Sequence, residues 1–149
     1  MPTAARLVSA ILLAALAYLV TTMYMNALLA EDPDENFGRL LEVNVAISAL
    51  VGWTLLGGRV GNQYSVAIGL GLTSVAAALF WCLFAHSVWE MLEMSLDRRF
   101  DGPMEALVGA VELGLEFAAE LLRPNIILTL VIGGIVLGPA AEFASRRWR

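Results

Sequence analysis

Residues 105–122 read EALVGAVELGLEFAAELL, a run apolar enough for a membrane span that nevertheless carries Glu105, Glu112, Glu116 and Glu120. Its placement decides whether the chain crosses a membrane four times or five. At about 100° per residue the four glutamates fall within an arc of about 80°, while Leu107, Val111, Phe117, Ala118, Leu121 and Leu122 occupy the opposite side. Burying four carboxylates in hydrocarbon is costly, by roughly several kcal/mol. The segment therefore reads as an amphipathic helix over about residues 103–123, lying at the outer interface or packed against a bundle, and not as a span.

The remainder of the chain prefers lipid. Of its 149 residues 59% are hydrophobic and 15% charged, with mean hydropathy +0.74, whereas soluble domains carry about a quarter charged residues. This is the composition of an integral membrane protein, and the lipid bilayer is its expected partner. The net charge is −5, and the nine basic residues are all Arg, most of them at the edges of apolar runs. No basic patch exists for phosphates, which excludes nucleic acid as a partner.

Four apolar runs are read as membrane spans: residues 7–30, 43–58, 66–89 and 125–141, the second being short and extended into the headgroups by residues 38–42. The first outlasts the h-region of a cleaved signal peptide and is read as a retained span. Pro33 and Asp34 mark a turn in the acidic link 31–42, and Asn36 is the expected cap of the second helix. Gly52, Gly57 and Gly58 offer close packing surfaces. In the last span Gly133, Gly134 and Gly138 suit a small-residue helix contact, within the chain or in a homo-oligomer. Pro139 is expected to kink or end that span. Phe80, Trp81, Phe84 and Trp89 form an aromatic cluster suited to the membrane interface. Arg6, Arg59, Arg146, Arg147 and Arg149 fall on one side of a four-span protein, and the positive-inside rule places that side, with both termini, in the cytoplasm. Arg98 and Arg99 are the exceptions, set among acids that can pair with them. The expected fold is an all-α membrane protein, with four transmembrane helices and an amphipathic helix between the third and fourth.

The chemistry-bearing residues gather beyond the third span. His86, Glu90, Glu93 and Asp97 are spaced by four, three and four, which puts them on one helix face. RRFDGP then reverses the chain, with Pro103 suited to the first turn of the next helix, so that this face could confront Glu112 and Glu116 in a helical hairpin. Imidazole and carboxylates on one face make a candidate polar or ion site, for a divalent cation or a proton; the plainer reading is a solvated acidic face. Cys82, the only cysteine, lies in an apolar run and reads as a packing residue. The chain has no P-loop, dinucleotide fingerprint, CxxC or HExxH, so neither a cofactor nor a conventional enzyme is expected.

The opening MPTAARL, the central RRFDGPMEALV, the GGIV of the last span and the closing SRRWR together resemble the TrgA-type tellurite-resistance family, small proteins of the bacterial inner membrane. The resemblance extends over nearly the whole chain. It implies an association with tellurite resistance and brings no active-site residues with it. Tellurite is an oxyanion that suits Arg side chains and helix N-termini, whereas the outer face read here is mostly acidic. Indirect protection fits better than a direct oxyanion permease. A small ion- or proton-coupled transporter using His86, Glu90, Glu93, Glu112 and Glu116, and a structural subunit bound to a membrane-protein partner, are the alternatives.

Overall fold

A computed structural model describes residues 4–34, 36–96 and 102–148. It is helical throughout, with no strand among the described residues. The helices are α1 (Ala4–Glu31), α2 (Leu40–Arg59), α3 (Tyr64–Leu96), α4 (Pro103–Glu120) and α5 (Pro124–Arg147). Helices α1, α2, α3 and α5 are each long and apolar enough to cross a membrane. The chain is a multi-span membrane protein, and the four expected spans are present. Each helix overruns the apolar run that announces it, because a helix leaving hydrocarbon keeps its backbone groups paired by continuing.

Both described ends of the chain lie at one end of the bundle. Val8 and Leu12 of α1 share a crevice with Ala144 and Trp148 at the close of α5. Gly57, near the end of α2, sits so close to α1 that a Cβ there would be 2.5 Å from the Arg6 Cα. This is termed the terminal end, and the opposite one the distal end. The small residues expected to mediate close packing do so within the chain, except Gly58, where a Cβ would have only the Arg6 guanidinium nearby, at 4.0 Å. Gly52 meets the Ser9 backbone and Gly133 meets Leu16, while Gly134 and Gly138 lie against Gly71 and Ala67 of α3. A Cβ on Gly138 would collide with the Ala67 carbonyl, and one on Gly71 with the Gly134 carbonyl. Between these crossings lies a core of Leu13, Val51, Val75, Ala78 and Leu137. Outside it the bundle exposes large apolar residues, including a mutually packed trio of Phe80, Trp81 and Phe84 with ring centroids 5.6–6.2 Å apart. That shell is compatible with lipid contact.

Helix α3 has 33 residues and at 1.5 Å per residue runs about 50 Å, well beyond a hydrocarbon core of about 30 Å. Its distal part is covered by α4, which folds back along it with Gly114 seated on the Ser87 hydroxyl. Pro103 opens α4 as expected. The helix stops at Glu120, three residues short of the expected boundary, because Pro124 holds Arg123 in an extended conformation (ψ 133°). Two ties fix the end of α4 to the distal end of α1: the Tyr24 hydroxyl donates to the Glu120 carboxylate, and Arg123 pairs with Glu31 at 2.8 Å.

Two local details stand out. Of the two expectations for Pro139, ending the span is not met: α5 continues past it to Arg147, since a single missing N–H is tolerable in a helix held by close packing on both sides. Asn36 does not cap α2. Its Oδ1 accepts from the Gly38 N–H at 3.0 Å, and Arg39 occupies the cap position with no side-chain bond. The Asx turn and Gly38 at φ +52° use the asparagine before the helix begins.

Candidate functional site: a vestibule at the distal end

A cavity of about 880 Å³ opens among α1, α2, α3 and α4. Its deep wall is apolar, with Leu13 and Val75 from the core; its rim is the Asn36–Arg39 turn; Phe117 of α4 closes one side. The size is that of a small-molecule site, and the pattern of an apolar wall with a few convergent polar groups is what such sites share.

The polar groups form a chain across the helices. Asn44 of α2 donates from Nδ2 to Thr21 Oγ1 of α1 at 3.1 Å, which leaves Asn44 Oδ1 to accept from His86 Nε2 of α3 at 2.8 Å. The imidazole is thereby fixed with its proton on Nε2, and Nδ1 has no partner among the described residues. The Cys82 thiol, one turn below, points at the Asn44 carbonyl at 3.9 Å. In a membrane bundle such cross-helix bonds replace water as the partner of polar side chains. Removing the Asn44 amide would leave both Thr21 and His86 short of a partner, so Asn44 is a positioning residue for the imidazole.

One turn further out, Glu90 and Glu93 also line the cavity. Glu93 accepts from the Trp89 indole N–H at 2.8 Å. Glu90 is half-buried and has no hydrogen-bond or ion-pair partner among the described residues. The structure thus brings His86, Glu90 and Glu93 together in one space. It does not bring Glu112 and Glu116 there: both are exposed on α4, outside the cavity lining. Asp97 lies outside the described residues, as do Arg98, Arg99 and Asp101.

The two acidic faces fail to meet because α4 has three sides rather than two. Gly114, Phe117 and Leu121 face inward, Glu105, Glu112, Glu116 and Glu120 face solvent on one flank, and Leu107, Val111, Leu115 and Leu122 are exposed on the other. Gly114 leaves room for the Ser87 side chain of α3, whose hydroxyl would stand 3.0 Å from a Cβ there, so the packing side runs through Gly114 and not through the middle of the broad apolar arc. Among the described residues, no three His, Cys, Asp or Glu side chains converge as a metal cage would.

A second polar cluster, at the terminal end, went unnoticed in the sequence. Glu142 of α5 is 1% exposed. Its carboxylate accepts from the Gly61 N–H at 2.6 Å, the Asn62 N–H at 3.2 Å and Arg146 Nε at 2.8 Å. Arg146 also donates to the Asn62 carbonyl at 2.6 Å and lies over the Tyr64 ring, 4.7 Å from its centre. These bonds fasten the α2–α3 turn to the end of α5. The spacing of four between Glu142 and Arg146 was visible in EFASRRWR; the turn that completes the site, 80 residues away in sequence, was not.

Comparison of the chain with models of protein families, with curated proteins and with solved structures found no match.

Proposed function

We propose that this protein is a non-enzymatic protein of the bacterial inner membrane that serves in tellurite resistance, and that the distal vestibule is its working part. The observation that carries this reading is a cavity of small-molecule size, walled by apolar residues and equipped with an oriented imidazole and two carboxylates. The resemblance in MPTAARL, RRFDGPMEALV, GGIV and SRRWR supplies the biological setting. Arg6, Arg59, Arg146 and Arg147 all belong to the terminal end, which supports a cytoplasmic position for both termini and an outward-facing vestibule. Tellurite itself is a poor ligand for a space whose acids outnumber its one arginine, Arg39. Protection is accordingly indirect, through a ligand or partner that the vestibule engages.

The hydrogen-bonded chain His86–Asn44–Thr21 favours a second reading, in which the vestibule is the outward half of a cation- or proton-coupled transporter. Ionisable side chains held inside a membrane bundle are costly and mark ion or proton routes.

Growth on tellurite tests the first reading. In a strain lacking the gene, the wild-type protein is expected to restore growth. The double substitution Glu90→Gln with Glu93→Gln is expected to lose that effect, while Glu112→Gln with Glu116→Gln keeps it, each at equal membrane abundance. No protection by the wild type would end the resistance reading; equal protection by all three would move the working part away from the vestibule.

A further inference from the structure

The character of the vestibule narrows what it can hold. Its wall is apolar, and four aromatic side chains, Tyr24, Phe37, Trp89 and Phe117, line it together with Glu90 and Glu93. Of the two acids, Glu93 already has the Trp89 indole as a donor, whereas Glu90 is half-buried with no partner among the described residues. A carboxylate set against an apolar, aromatic cavity favours an occupant that brings the missing positive charge. Arg39, at the rim, is exposed and does not pair with it among the described residues.

An inorganic cation is commonly held by several charged or imidazole side chains at one point, and no three His, Cys, Asp or Glu side chains gather so among the described residues. An organic cation has a different requirement. Its apolar body gains from the wall, its charge gains from ring faces and from a single counter-ion, and it gives up little hydration on entering. We propose that the vestibule is a binding site for lipophilic organic cations, with Glu90 as the counter-charge and the surrounding aromatic rings as the cradle. Such a ligand, concentrated in the membrane by its own apolar surface, reaches a cavity walled by the spans themselves. The assignment rests on the reading of the vestibule as the working part and gives it a ligand class.

The test is equilibrium dialysis of labelled tetraphenylphosphonium against the detergent-solubilised full chain, alongside tetraphenylborate, which has nearly the same shape and the opposite charge. Wild-type protein is expected to bind the phosphonium saturably, one per chain. Glu90→Gln is isosteric and half-exposed, so it keeps the fold, and it is expected to weaken binding at least about tenfold, the equivalent of about 1.4 kcal/mol. Glu112→Gln, on the solvent flank of α4, is expected to bind like the wild type, and tetraphenylborate is expected not to bind saturably. Equal binding by Glu90→Gln, equal binding of the borate, or no saturable phosphonium binding each overturns the proposal. The readout involves neither growth nor tellurite. A cation site in a protein that gives no resistance, and resistance from a protein that binds no cation, are therefore separate results.

Discussion

Replacing Glu142 with alanine is expected to lower the thermal midpoint of the detergent-solubilised protein by roughly 6–12 °C, from a loss of about 3 kcal/mol at roughly 2–4 °C per kcal/mol. The carboxylate is buried and holds three donors, two of them backbone N–H groups of the Gly61–Asn62 turn. Alanine removes the buried acceptor that ties the turn to α5: all three bonds and the packing of the side chain are lost, and only part of that pairing returns through water at Gly61 and Asn62, which are exposed. The turn cannot easily find another arrangement, because Gly61 sits at φ +108°, a conformation reserved for glycine. Arg146→Ala should do less harm, since Glu142 keeps its two backbone donors and the arginine is half-exposed. Glu142→Gln should fall between, because its amide oxygen still accepts from the turn while its NH₂ meets Arg146 as a second donor. Midpoints measured by circular dichroism give the order directly. A Glu142→Ala protein melting within a degree of wild type would show that the α2–α3 turn holds without its clasp.

The second large effect is expected where α3 crosses α5. Gly138→Leu should unfold the bundle or lower its midpoint by about 10 °C or more, the scale of a forced overpacking of about 3 kcal/mol or above. Any side chain at 138 begins with a Cβ in collision with the Ala67 carbonyl, and the obstacle is backbone, which cannot rotate aside. Gly71→Ala faces the Gly134 carbonyl and should be damaging for the same reason. Gly69 provides the control on the same helix. It has nothing within 4 Å of its would-be Cβ, so Gly69→Ala should leave the midpoint unchanged or raise it slightly, alanine being the better helix former by about 1 kcal/mol. The outcome that would contradict this account is equal tolerance at 69, 71 and 138, which would mean that α3 and α5 do not depend on close approach.

These two sites also show how far the amino-acid sequence could be read. Gly134 and Gly138 announced a close helix contact by their spacing of four, but dimerisation and packing within the chain carry the same signature. The choice depended on Ala67 and Gly71, whose matching pair of small residues lies on another helix. Glu142 and Arg146 stand four apart, a spacing that suits an ion pair on one helix, but nothing beside them in the sequence marks the carboxylate as a buried anchor. The hairpin of α3 and α4 was foreseen from RRFDGP and from helical spacing, yet its face was not. A helical wheel sorts residues into acidic and apolar halves, and Gly114, which lies in the contact against Ser87, carries no weight in that sorting.

The sequence alone determined what could be stated by adding up residues along one helix: four runs long enough for a bilayer, a fifth helix too acidic to cross, a proline at the start of α4, and His86, Glu90 and Glu93 on a common face. These follow from local periodicity and transfer energies, which need no neighbour. The tertiary structure decided which partner each face met. It joined Asn44 to His86 and Thr21, set Phe117 rather than Glu112 beside the vestibule, and closed the Gly61 turn over Glu142. Each of those contacts links residues distant in sequence through the tilt and separation of two helices. In this bundle both are fixed by where small residues let backbones touch, a property of pairs of helices that no single segment contains.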